Sequence, residues 1–193
     1  MQREGIEAEK RHAACSAAVV RLPKSHFDMV RVGIMQYGFW PSTETYIEKI
    51  KPRGIIHEDP LKRVISWKSK VMNLKHVKQG EYVGYGTSYL AASDMTVATV
   101  PVGYGHGFSR SLSNTGRALI RETRVPVIGI VNMNMMLLDV SQVDNTEKGD
   151  EVVLIGQQGD MKISVSSFSD YSDQLNYELL TRLPHDIPRY VTN

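Results

Sequence analysis

Arg63-Val64-Ile65-Ser66-Trp67-Lys68-Ser69-Lys70-Val71-Met72 sets apolar residues against charged and hydroxylic ones along its length. That alternation is the pattern of a strand with one face buried, and it opens a long β-rich stretch. Gln79-Gly80 turns the chain before Glu81 to Tyr85, and Met95 to Val102 is a further β run ended by Gly103 to Gly107. Ala118 to Ile120, Val125 to Met133, Met136 to Val140, Glu151 to Ile155 and Lys162 to Val165 read as short strands, with turns at Asp144–Gly149 and Gly156–Gly159. Only Ser169 to Leu183 has helical spacing, with Tyr171, Leu175, Leu179, Leu180 and Leu183 on one face and Pro184 and Pro188 beyond it. Many short strands between regular turns predict a compact, mainly β domain, a barrel or a sandwich.

Upstream the pattern differs. Ala13 to Leu22 is small and apolar and fits a buried strand leading into a short helix, closed by Pro23. Met29 to Ile34 fits a strand end entering a turn at Gly33, and Gly38 to Ser42, with Pro41, reads as a connection. The expected division is residues 1–42, a linker over 43–62, and a β domain over 63–193.

With 193 residues the chain suits one domain plus a fragment. Twenty-three basic against twenty-one acidic residues, a formal charge of +2, leave no dense basic run. Lys68, Lys70, Lys75 and Lys78 read as a solvated face rather than a nucleic-acid surface. The single cysteine, Cys15, excludes an intramolecular disulfide. The polar start and the lack of an apolar run of roughly 20 residues predict a cytoplasmic protein with no membrane segment.

Several residues could carry chemistry. Ser16 and, further on, Gly33-Ile34 supply a hydroxyl and a glycine turn of the kind that receives phosphate, although such a pair is more often structural. Tyr85 stands between Gly84 and Gly86, and read bare it is a packed tyrosine at a strand end. Pro101-Val-Gly-Tyr104-Gly-His106-Gly offers a histidine, but no second ligand lies at metal spacing, so no metal site is expected. Val127 to Met136 includes Gly129, Asn132, Met133 and Asn134, and Asn176-Tyr177-Glu178 precedes Ile187-Pro188-Arg189.

In that order these segments resemble the alanine racemases, enzymes of fold type III that use pyridoxal 5'-phosphate (PLP). The resemblance spans roughly residues 12–190. It implies a (β/α)8 PLP barrel of which residues 1–42 are the last one or two βα units, followed by the barrel-like C-terminal β domain. It further implies that Ser16, with the backbone of Gly33 and Ile34, holds the PLP phosphate, and that Tyr177 touches it. Arg31 would face the pyridine nitrogen. A guanidinium stays protonated and cannot give up its proton to the ring, so the ring remains a weaker electron sink, which favours simple proton exchange.

The family's VGYG segment, here Val83 to Gly86, carries a tyrosine that exchanges one α-proton, and Tyr85 matches it. A phenol of ordinary pKa, about 10, is a poor base at neutral pH and needs positive charge or hydrogen bonds around it. In the family these come from the partner subunit, so a homodimer with a shared site is implied. Tyr104 falls in a segment like the family's PxGYADG at the active-site mouth. Met133 matches the residue whose backbone N–H meets the substrate carboxylate.

Some positions depart from the pattern. Cys15 stands where asparagine is usual, and Asn132, Asn134 and Met135 replace the cysteine, aspartate and glutamine of VGRVCMDQ. The implied reaction interconverts L- and D-alanine for cell-wall D-amino-acid supply. Serine is an alternative substrate, as in the racemases of glycopeptide-resistance systems. A non-catalytic remnant or dimerisation domain and another PLP enzyme of the same fold type, such as a decarboxylase, are further alternatives. The family's PLP lysine is expected upstream of this chain, and the chain alone is expected to be inactive.

Overall fold

The computed structural model describes residues 9–50, 58–165 and 176–192. It divides into two units, Met1–Ile65 and Ser66–Asn193.

In the first unit, β1 (His12–Cys15) runs directly into helix α1 (Ser16–Arg21), and β2 (Met29–Arg31) lies parallel to β1. A parallel pair needs a crossover, and α1 with the turn at Pro23–Ser25 supplies it. Ala14 is wholly buried, and Cys15 pairs with Arg31 at the strand ends. A 3-10 turn, Ile34–Tyr37, follows β2 and stops at Gly38. Gly38 has φ +81°, and a Cβ there would lie 2.0 Å from the Lys62 carbonyl oxygen, so no other residue fits.

Helix α2 (Thr43–Ile50) occupies the start of the stretch expected to be a linker. Ser42 caps it: its hydroxyl accepts from the Thr45 N–H at 3.2 Å, and its carbonyl accepts from Tyr46 at 3.1 Å. The Arg63 guanidinium stacks 4.1 Å over the Phe39 ring, and residue 63 lies in no strand.

The second unit is mainly β, as expected. Its strands are β3 (Trp67–Lys70), β4 (Asn73–Val77), β5 (Tyr82–Val83), β6 (Tyr89–Leu90), β7 (Met95–Val100), β8 (Arg117–Ile120), β9 (Thr123–Ile128), β10 (Met136–Asp139), β11 (Glu151–Gln158) and β12 (Met161–Ile163). Eight of them form one antiparallel sheet in the order β12-β11-β8-β9-β10-β7-β4, with β3 also paired to β11. β5 and β6 form a separate hairpin. Helix α3 (Asn176–Arg182) comes last. It coincides with the C-terminal part of the helix expected over Ser169–Leu183; residues 169–175 lie outside the described residues.

Three expected strands change length for local reasons. The strand read over Arg63–Met72 is confined to Trp67–Lys70, because Val71 and Met72 turn to donate to the Asp150 and Thr99 carbonyls and lead into β4. The run Val125–Met133 ends as a strand at Ile128, where Gly129 takes φ +69°. β11 continues through the turn expected at Gly156–Gly159, and the reversal falls at Gly159-Asp160, with Gly159 at φ +55°.

The β8–β9 hairpin closes through Arg121 and Glu122, at φ +47° and +60°. Two left-handed residues match the right-handed twist of the flanking strands. Leu119, Ile120, Val152 to Ile155, Val127, Leu138 and Phe108 fill the core, with Trp67 and Phe108 rings 6.2 Å apart. β7 is buried along most of its length and β11 over Val152–Ile155, and these stretches read as nearly continuous apolar runs. A smaller cluster of Val77, Val83, Ala91, Met95, Val97 and Ile128 lies under the β5–β6 hairpin and anchors it to the sheet.

Candidate functional site

In the first unit the relevant residues gather at the C-terminal ends of β1 and β2. Ser16 is the first residue of α1 and is 5% exposed. Its hydroxyl oxygen accepts the Gly33 N–H at 2.9 Å, which ties the start of α1 to the turn after β2. Among the described residues no acceptor takes the Ser16 hydroxyl proton, so a buried O–H is free to donate. The first N–H groups of a helical turn have no partner within it, and Ile34 and Met35 present theirs at the same place. A Cβ on Gly33 would only touch Ser16 Oγ, at 3.8 Å. One buried hydroxyl proton beside free amides suits a phosphate, so these residues fit the phosphate end of PLP. Arg31 is exposed at the end of β2 and points its charge to no acidic partner among the described residues.

In the second unit Tyr85 sits at the tip of the β5–β6 hairpin and is 71% exposed. Gly84 and Gly86 flank it at φ +83° and +67°, conformations that let the chain reverse on both sides of one residue. The hairpin lies against the segment after β9: a Cβ on Gly84 would be 3.6 Å from the Gly129 Cα.

Tyr104 starts a 3-10 turn whose N–H groups reach the same segment. Tyr104 donates to the Asn132 carbonyl at 3.0 Å, and Gly105 donates to that of Met133 at 2.9 Å. The Gly103 N–H is received by His106 Nδ1 at 3.2 Å, so His106 closes this turn. Among the described residues no group of three metal-ligating side chains exists. Met133 is exposed, and no acceptor for its N–H is found among the described residues. Tyr177 lies in α3, but its side chain is outside what is described. The helix ends beside the Tyr104 turn, since a Cβ on Gly107 would be 3.2 Å from the Arg182 carbonyl oxygen.

The structure thus gathers Tyr85, Tyr104 and Met133 on one set of loops, and Ser16, Gly33, Ile34 and Arg31 on another. Ser88, Ser113 and Asn114, which the sequence did not single out, hold the loops that carry Tyr85 and Met133.

The alanine racemase C-terminal domain family matches residues 64–191, and the N-terminal domain family matches residues 1–41. The alanine racemase of Halothermothrix orenii is 38% identical over 188 residues, 97% of this chain and 47% of that protein. That of Carboxydothermus hydrogenoformans is 38% identical over 189 residues, 98% of this chain and 49% of the relative. The chain spans about half the length of the curated relatives it matches.

Among solved structures, alanine racemase from Bacillus anthracis with bound L-Ala-P superposes with a TM-score of 0.82 at 32% identity, over 95% of this chain and 45% of that one. Alanine racemase from Bartonella henselae with covalently bound pyridoxal phosphate gives 0.76 at 27% identity, over 94% and 46%. No helix among the described residues is long and apolar enough to cross a membrane.

Proposed function

The chain belongs to the alanine racemase family, and on that premise we propose that it supplies the tyrosine half of a PLP-dependent racemase acting on alanine. Bound PLP supplies the electron sink that makes an α-proton removable. Tyr85 Oη gives or takes that proton on one face of the substrate. The Met133 N–H receives the substrate carboxylate, and Tyr104 flanks the approach. Ser16 and the Gly33-Ile34 backbone would hold the phosphate of PLP, Tyr177 is a further candidate for a phosphate contact, and Arg31 would donate to the ring nitrogen, which would then stay unprotonated. In this reading residues 1–42 are the end of the PLP barrel, 43–62 the connection and 63–193 the C-terminal domain.

One observation carries the reading: an exposed tyrosine held between two left-handed glycines, on a hairpin that abuts the loop bearing Met133. Among the described residues no cationic side chain bonds to the exposed Tyr85, and the positive surroundings a phenolic base needs would come from a partner subunit in a homodimer.

Purified chain with PLP is offered L-alanine and L-serine separately, alone and together with the part of the Halothermothrix orenii enzyme that the chain does not match. Formation of D-alanine in the combined sample supports the reading. Lack of D-product from either amino acid in a combined sample that binds PLP overturns it. Serine is included because Asn132 and Asn134 bring side-chain amides to the loop that flanks Met133.

A further inference from the structure

β9 ends at Ile128, and the next three backbone N–H groups have no strand to receive them. Each is taken by a side chain. Gly129 donates to Asn114 Oδ1 at 2.6 Å, Ile130 donates to Ser88 Oγ at 3.1 Å, and Val131 donates to Ser113 Oγ at 3.0 Å. The receiving residues come from two loops. Ser113 and Asn114 precede β8, and Ser88 closes the turn that starts at Tyr85.

Ser88 is fixed from two sides. A Cβ built on Gly84 would lie 3.6 Å from its hydroxyl oxygen and one on Gly129 3.4 Å, so the hydroxyl occupies the slot left by two residues without side chains. Its backbone carbonyl also faces the Asn114 amide nitrogen at 3.5 Å, a long contact that adds direction more than strength. Asn114 holds φ +60°, a backbone conformation that asparagine tolerates better than most residues, and this turns its amide toward both neighbours.

We propose that Ser88 and Asn114 are positioning residues that hold the Tyr85 turn in register with the Met133 segment. The inference rests on the reading of Tyr85 and Met133 given above. A proton donor and a carboxylate-binding amide must keep a fixed separation for the α-carbon to lie between them, and a displacement of about 1 Å is enough to cost on the order of a hundredfold in rate. Tyr85 is on a short, exposed hairpin, and Met133 is on a loop without strand pairing. Among the described residues, the Ser88 hydroxyl and the Asn114 amide join the Tyr85 turn to Gly129 and Ile130, at the start of the segment that leads to Met133.

The test uses the full chain, labelled with nitrogen-15 and with carbon-13 in its tyrosine rings, and needs no turnover. In Ser88→Ala, exchange of the Ile130 amide with solvent is expected to speed up about tenfold, and the Tyr85 ring signals to move while those of Tyr190 stay. In Asn114→Ala, the Gly129 amide gains the same acceleration and Tyr85 moves again. Asn114→Asp keeps an acceptor for Gly129 and is expected to restore that amide's protection. Folded variants with unmoved Tyr85 signals, or with unchanged exchange at Gly129 and Ile130, would overturn the proposal. Unfolding of both deletions would overturn it too, because the two side chains would then be supports of the fold rather than of one register. A Tyr85→Phe racemisation assay reports separately on the role of Tyr85 itself.

Discussion

A Cβ placed on Gly103 would lie 2.0 Å from the carbonyl oxygen of Asn132, a backbone atom that the Tyr104 N–H already holds at 3.0 Å. Neither side can yield without breaking the link between the Tyr104 turn and the Met133 segment. Gly103→Ala is therefore expected to destabilise the second unit by roughly 1–3 kcal/mol, the usual range for forced overpacking. Urea denaturation of the two proteins, compared at equal slope, checks this.

Ser16→Ala removes the acceptor of the Gly33 N–H from a nearly dry position. An unpaired buried donor costs about 1–3 kcal/mol. If Ser16 also donates to the PLP phosphate, affinity for inorganic phosphate or PLP falls in the same variant by about tenfold, the equivalent of one lost hydrogen bond. Titration of PLP absorbance in the combined sample measures the second effect, and thermal unfolding of the chain measures the first.

Leu138, at the centre of β10 between β7 and β9, is wholly buried. Leu138→Ala leaves a cavity in the middle of the sheet and is expected to cost about 2–5 kcal/mol. Denaturant midpoints give the value. A loss below about 1 kcal/mol would mean that the strand order is wrong at this point.

How much of this was legible in the sequence depended on the residue's surroundings. β7 and β10 were readable because both are apolar runs bounded by glycine or aspartate turns. β4, with the sequence Asn73-Leu-Lys-His-Val77, is an edge strand whose exposed polar residues hide its pairing with β7. Helix α2 was hidden because Pro41 reads as a break in a connection, although Ser42 is an N-cap residue ahead of it. At the site, Tyr85 and its glycines could be found from sequence. Ser88 and Asn114 could not, since their partners are backbone N–H groups 42 and 15 residues away.

Asp150 accepts from Arg121 Nε at 2.8 Å, from Arg121 Nη2 at 3.1 Å and from the Glu147 N–H at 2.9 Å. The Arg121 side chain foremost, then the Glu147 N–H, hold its carboxyl below the usual value. A carboxylate with a folded pKa below its unfolded one contributes stability above the unfolded pKa, about 4, and loses it as pH falls through the folded pKa. Asp150→Asn should therefore lower Tm by a few degrees at neutral pH. The difference from the parent chain should shrink once pH drops below about 4. Thermal scans from neutral pH downward check the sign. A difference that grew on acidification would contradict it.

The central claim is that Tyr85 moves the α-proton on one face of the substrate. The most direct measurement is racemisation of L-alanine and of D-alanine by the combined sample, with Tyr85 and with Tyr85→Phe, following deuterium taken up from heavy water. The account predicts a loss on the order of a hundredfold or more in both directions. It further predicts that exchange persists on a single face, that of the remaining base. Unchanged racemisation in Tyr85→Phe, with deuterium entering both enantiomers as before, would contradict it.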